Sequence, residues 1–191
     1  PALAITDEDY YAASVMNYIL GGGGFASRLT QELREGKGYT YGIRSGFSGT
    51  KAKGTFTISS GVRSNVTPES AQLIKQILKE YPTTFSDKDL ETTKSFLIKS
   101  NARAFETASA KLRMLSNMST YGWKSDYIKE QESIVNNMTK ARVKELANKY
   151  VNPDKLIWLV VGDAETQFDR MRELGYGTPI LLNKRQQPIK N

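Results

Sequence analysis

Leu20–Gly42 reads LGGGGFASRLTQELREGKGYTYG. Four glycines, Gly21, Gly22, Gly23 and Gly24, feed an amphipathic helix expected from about Phe25 to Glu35, with Ala26, Leu29 and Leu33 on one face. Gly36 and Gly38 can take the left-handed backbone that ends helices. A tyrosine-rich strand begins at once. The stretch therefore predicts a helix, a tight reversal and a strand, and it sets Arg34 and Tyr41 seven residues apart across the reversal. Arg34 follows Leu33, so it points about 100° away from the apolar stripe, as a surface arginine would. Tyr41 shares parity with Tyr39, Ile43 and Phe47, as a core tyrosine with a satisfied hydroxyl would.

The glycine run does not have the form of a phosphate loop. A Walker loop ends in Gly-Lys-Ser/Thr, whereas Phe25-Ala26-Ser27 follows here. A dinucleotide loop follows a strand, whereas Ala12, Val15, Met16 and Ile19 mark a helix over residues 8–19. The default expectation is a flexible helix-to-helix turn, with a mobile loop beside a site as the alternative.

Outward from this stretch, the pattern alternates between strand and helix. Phe56, Ile58 and Val62 share one face of a second strand, and the polar link from Ser48 to Gly54 predicts an antiparallel hairpin. Thr67-Pro68 opens a helix with the stripe Ile74, Ile77, Leu78 and Tyr81, which Pro82 should stop. Ser86 and Asp89 form a capping-box pattern at the head of a long helical region reaching Tyr121, before Gly122. Shorter helices follow over residues 125–135, after Thr139, and over residues 167–174. Leu156–Val161, LIWLVV, reads as a strand buried on both sides. A weak last strand is expected at Pro179–Leu182. With no repeat or linker, residues 1–191 read as a single α+β domain, a mostly antiparallel sheet with helices packed on one face.

Composition narrows the chemistry. The chain has 191 residues, 39% hydrophobic and 25% charged, and needs neither disulfide nor metal to build a core. It has no Cys and no His. Thiol chemistry, Ser-His-Asp and Cys-His nucleophiles are excluded, and only carboxylates remain as metal ligands, whereas catalytic zinc sites almost always use His or Cys. No metal site is expected. The net charge of +7 raises the question of nucleic acid, but Lys is interleaved with acid, and the densest cationic piece is the tail with Lys184, Arg185 and Lys190. Lys37-Gly38-Tyr39 opens like an RNA-recognition signature, which then fails at Thr40 and Gly42. No stretch approaches the ~18 apolar residues of a membrane span. Asn65-Val66-Thr67, Asn117-Met118-Ser119 and Asn137-Met138-Thr139 fit the glycosylation triplet at a rate chance can supply, so no compartment is assigned. Pro1 is not an initiator Met, so the chain reads as excised from a longer one.

Gly21–Gly24, then Ser27-Arg28-Leu29, then Leu33-Arg34-Glu35-Gly36-Lys37-Gly38-Tyr39-Thr40-Tyr41 resembles the C-terminal-type, non-catalytic domain of the pitrilysin/insulinase-like zinc metallopeptidases, a family that includes mitochondrial processing peptidase. The order of elements fits along most of the chain, with the initial strand of the domain type missing. The resemblance implies a metal-free half that faces a homologous zinc-bearing domain or subunit across a chamber. It implies that Arg34 and Tyr41 contact a peptide substrate, with Gly21–Gly24 and Gly38 shaping the loop and turn. Zinc is then expected on the partner domain and none on this chain, which alone should be inactive. A catalytically inactive scaffold homologue is the alternative, and a basic RNA-binding module the more distant one.

Overall fold

The computed structural model describes residues 1–101, 105–183 and 187. The cationic tail residues Lys184, Arg185 and Lys190 lie outside the described residues.

Helix α1 (Asp9–Asn17) continues into a wide π-helical turn, Tyr18–Gly22. A short helical stretch, α2 (Arg28–Thr30), widens in the same way over Gln31–Gly36. Strands β1 (Thr40–Ser48) and β2 (Thr55–Val62) form an antiparallel hairpin. Five longer helices follow: α3 (Thr67–Thr84), α4 (Asp87–Asn101), α5 (Ala108–Tyr121), α6 (Tyr127–Asn137) and α7 (Lys140–Tyr150). A short α8 (Ala164–Gln167) leads into a 3-10 stretch, Asp169–Leu174.

One face of the hairpin is apolar and lies on the helices. Ile43 is buried, and Phe47, Phe56 and Ile58 pack against a core of Met16, Leu20, Leu29, Leu33, Leu78, Val135, Val143 and Leu146. Tyr81 sits fully inside this core, and its hydroxyl donates to the Met16 carbonyl at 2.6 Å, so burial leaves no polar atom unpaired there. The α+β class therefore holds, with the antiparallel sheet built from β1 and β2.

Several expected boundaries move. Pro82 does not stop α3 at once; the helix ends two residues later at Thr84, and a proline this close to a helix end leaves little helix beyond it to disrupt. Thr67 does not cap α3: its hydroxyl donates back to the Ser64 carbonyl at 3.0 Å. The expected long helix is two helices, α4 and α5, the second capped by Thr107. The Ser86/Asp89 box does form, with the Ser86 N–H donating to the Asp89 carboxylate at 2.8 Å and the Asp89 N–H to the Ser86 hydroxyl at 3.1 Å. Thr139 caps α7 as its position predicts.

LIWLVV is the largest correction. The segment is not in a ladder with any described residue, and Ile157, Leu159 and Val161 are 96%, 77% and 93% exposed, while Leu156 and Trp158 lean on the core. A strand buried on both sides needs two covering layers, and only one of its faces meets described residues. Pro179–Leu182 likewise forms no extended strand; only Leu182 is in a bridge.

Helices α1 and α7 are tied by charge. Asp9, at the start of α1, accepts from Arg142, Lys149 (2.8 Å) and Tyr150 (2.6 Å), all on α7. Partial burial pushes its carboxyl up, but these hydrogen bonds and the Arg142 charge outweigh it and hold the pKa down at about 2. A carboxylate depressed in the fold stabilises above its unfolded pKa and loses that contribution as pH falls through the folded one. Asp9→Asn is therefore expected to cost about 1–2 kcal/mol near neutral pH. In urea unfolding the gap from the parent should shrink steadily from about pH 5 towards pH 2.

Candidate functional site

The reversal between α2 and β1 is built from an unusually wide turn. The Lys37 N–H donates to the Glu32 carbonyl at 3.0 Å, Gly38 N–H to Arg34 at 3.0 Å and Tyr39 N–H to Leu33 at 2.8 Å. The last two bonds nest like the common helix-ending motif, but each spans one residue more. Gly38 takes φ +60° with open space where a Cβ would stand, so its requirement is backbone conformation and not room. Gly36 has no positive φ; it is the last residue of the π-helical turn. Such one-residue widenings recur at functional sites.

Strand β1 then carries a bulge. Thr40 pairs with Val62, but Ile43 pairs with Ser60, so Tyr41 and Gly42 together oppose Gly61. The extra residue reverses the parity of Tyr41 relative to Ile43. Ile43 stays in the core and Tyr41 turns out, 95% exposed, so it is not the core tyrosine that alternation predicts. The buried Thr40 hydroxyl holds the bulge. It donates to the Gly61 carbonyl at 2.6 Å and accepts from the Gly42 N–H at 3.0 Å and the Ser60 hydroxyl at 2.9 Å. One donor and two lone pairs are thus all used. Thr40→Val should lower the unfolding free energy by about 1–3 kcal/mol, because buried groups lose their partners. Thr40→Ser, which keeps the hydroxyl, should recover most of that loss in the same thermal melt.

Arg34 and Tyr41 line one cleft of about 430 Å³, with Gly38, Tyr39, Thr40, Gly61, Val62 and Arg63. The Arg34 guanidinium lies 4.6 Å from the Phe25 ring centroid, and its Nε is 3.3 Å from the Glu35 carboxylate. Its two terminal amino groups have no partner among the described residues. The Tyr41 hydroxyl likewise makes no hydrogen bond to a described residue. The bulge-holding role of Thr40 and the place of Arg63 in the cleft are not written in local sequence; the one signal of the bulge is Gly42 directly after Tyr41.

At Gly21 the glycine run is a packed seam and not a free turn, whereas Gly22 and Gly24 are exposed. A Cβ on Gly21 would stand 2.2 Å from the Ser45 hydroxyl and 2.8 Å from the Ser45 nitrogen. Gly22 and Gly23 are pressed on Asn17 and Tyr18, and only Gly24 combines open space with a positive φ of +56°. Asn17 spans the seam, donating to the Ser45 carbonyl at 2.9 Å and accepting from its hydroxyl at 2.5 Å. The Ser27-Arg28-Leu29 segment is structural as well. Leu29 is fully buried, while Arg28 donates to the Thr84 carbonyl at 2.6 Å and pairs with Asp89 at 2.7 Å, joining the end of α3 to the start of α4.

The chain has no His or Cys, and the described residues hold no cluster of three or more possible metal ligands. No described helix is long and apolar enough to cross a membrane.

Residues 1–97 match the family described as the peptidase M16 inactive domain. A non-peptidase homolog from Helicobacter pylori is 29% identical over 142 residues, covering 73% of this chain and 32% of the relative. An uncharacterized zinc protease from Bacillus subtilis is 26% identical over 159 residues, covering 83% and 39%. The chain thus spans about a third of the length of these two relatives. Among solved structures, a peptidase M16 inactive domain from Pseudomonas fluorescens superposes with a TM-score of 0.74 at 32% identity, over 81% of this chain and 37% of that one. A protease from Helicobacter pylori shares the fold at a TM-score of 0.71 and 17% identity, over 78% and 36%. By sequence and by fold, the chain belongs to the peptidase M16 inactive-domain family, the non-catalytic domain type of these zinc peptidases.

Proposed function

We propose that this domain is the substrate-holding, metal-free half of a zinc-dependent peptidase, working against a homologous partner domain that carries the zinc. The observation that carries this reading is that Arg34 and Tyr41 line one cleft with free donors. Peptide hydrolysis builds negative charge on the scissile carbonyl oxygen. Donors placed there bind the transition state more tightly than the substrate, and so raise the rate. Arg34 is a permanent cation with two unspent amino groups, and Tyr41 offers an O–H without a competing partner. An extended peptide can lie along β1 by strand addition, which brings its carbonyls past the cleft.

A scaffold without peptidase activity is the second reading, favoured by the Helicobacter pylori relative being a non-peptidase homolog. The two separate in one experiment. The chain is mixed with the zinc-bearing domain of its own peptidase, and cleavage of a quenched fluorescent peptide is followed. Turnover by the pair and by neither half alone supports the substrate-holding role. A folded, zinc-loaded pair without turnover supports the scaffold. Metal analysis of the chain alone is expected to find no stoichiometric zinc.

A further inference from the structure

The cleft beside Tyr41 holds a second arginine that the role proposed for Arg34 and Tyr41 does not use. Arg63 follows the last residue of β2, and its backbone is fixed on both sides. Its N–H donates to the Tyr39 carbonyl at 3.2 Å, and its own carbonyl accepts from the Val66 N–H at 3.1 Å. The side chain, by contrast, is unspent. No described carboxylate is within ion-pair reach of its guanidinium, and it makes no hydrogen bond to a described residue. Elsewhere Arg28, Arg142, Arg170 and Arg172 each have an acidic partner; Arg44 and Arg113, like Arg63, have none among the described residues, but neither lines the cleft. Arg34, across the same cleft, commits only its Nε, to Glu35.

The lining residues of this cleft therefore bring two guanidinium groups and no acid. A cleft lined by charge of one sign attracts a group of the opposite sign. Guanidinium is the group best matched to a planar carboxylate, through paired N–H donors. We propose that Arg63 provides a carboxylate subsite beside Arg34, so that the domain prefers peptides presenting an acidic side chain or a free C-terminal carboxylate at this point. The preference presupposes the peptide-holding role proposed for the domain. It adds a specificity that Arg34 and Tyr41 alone do not supply.

The test is an amide-resolved NMR titration of the chain with one neutral extended peptide in three forms: C-terminally amidated, with a free C-terminal carboxylate, and amidated with a single Glu. Shifts are read at Gly42, in the bulge, and at Gly61, opposite it. One or both carboxylate forms are expected to bind about tenfold more tightly than the amidated one, the gain of a charge-assisted hydrogen bond. The form that gains identifies the source of the carboxylate. In Arg63→Gln the ratio between carboxylate and amidated forms should fall to about one, and Arg63→Lys should keep part of it. Equal affinity for all three forms overturns the carboxylate subsite and leaves the peptide-holding role standing. No shift at Gly42 or Gly61 with any form overturns both.

Discussion

Arg34→Ala and Tyr41→Phe are each expected to lower peptide turnover by the reconstituted pair about tenfold or more, with little change in stability. The stability half follows from exposure. Tyr41 is 95% exposed and its hydroxyl has no described partner, so the fold loses no contact when that hydroxyl goes. Among the described residues the Arg34 side chain lies over Phe25 and pairs with Glu35, both exposed. Pairs of this kind are worth up to about 1 kcal/mol. The turnover half follows from where charge develops. Removing one donor to an oxyanion typically costs on the order of 100-fold or more in kcat, so tenfold is the lower bound. The steady-state parameters then distinguish the roles. A fall in kcat with KM unchanged marks a donor used in the transition state, and a rise in KM alone marks one used only to hold the substrate. Near-normal kcat and KM in both variants would remove these residues from the site.

Much of this corner is written locally in the chain. Gly38 takes the left-handed conformation that its place after a helix demands, Leu29 and Leu33 face the core, and the Ser86/Asp89 and Thr139 caps form where side-chain chemistry puts them. Each of these depends on neighbours within a few residues. What was not legible depends on contacts far apart in sequence. The orientation of Tyr41 rests on a one-residue slip against β2, and a slip of one residue sends a side chain to the opposite face. Alternation within β1 alone therefore assigns Tyr41 to the core. Arg63 enters the cleft only because the Tyr39–Arg63 pairing closes the hairpin there. LIWLVV shows a related limit. A continuous apolar run states that its side chains suit burial, but what covers each face is set by other parts of the structure.

Gly21→Val is expected to be among the most damaging single changes at this corner, and it tests whether the glycine run is a seam or a free turn. The first atom added already meets the Ser45 hydroxyl at 2.2 Å, and both the Ser45 backbone nitrogen and the Leu29 side chain at 2.8 Å. A strand backbone cannot yield as a flexible side chain can. The π-helical turn after α1 must therefore move away from β1. Overpacking of this kind costs about 1–3 kcal/mol. The movement also pulls apart the buried Asn17–Ser45 pair, whose two hydrogen bonds then go unmet at a further ~1–3 kcal/mol. The sum of roughly 4 kcal/mol corresponds to a fall in melting temperature of about 10 °C for a chain of this size. Gly24→Ala supplies the contrast. It has open space and only a left-handed backbone to satisfy, so it should cost about 1 kcal/mol. Equal, small losses at Gly21 and Gly24 would mean that the run is a turn after all. A large loss at Gly21 alone would make the glycines the reason β1 can lie flush against the helix before it, which is the contact that fixes the strand bearing Tyr41.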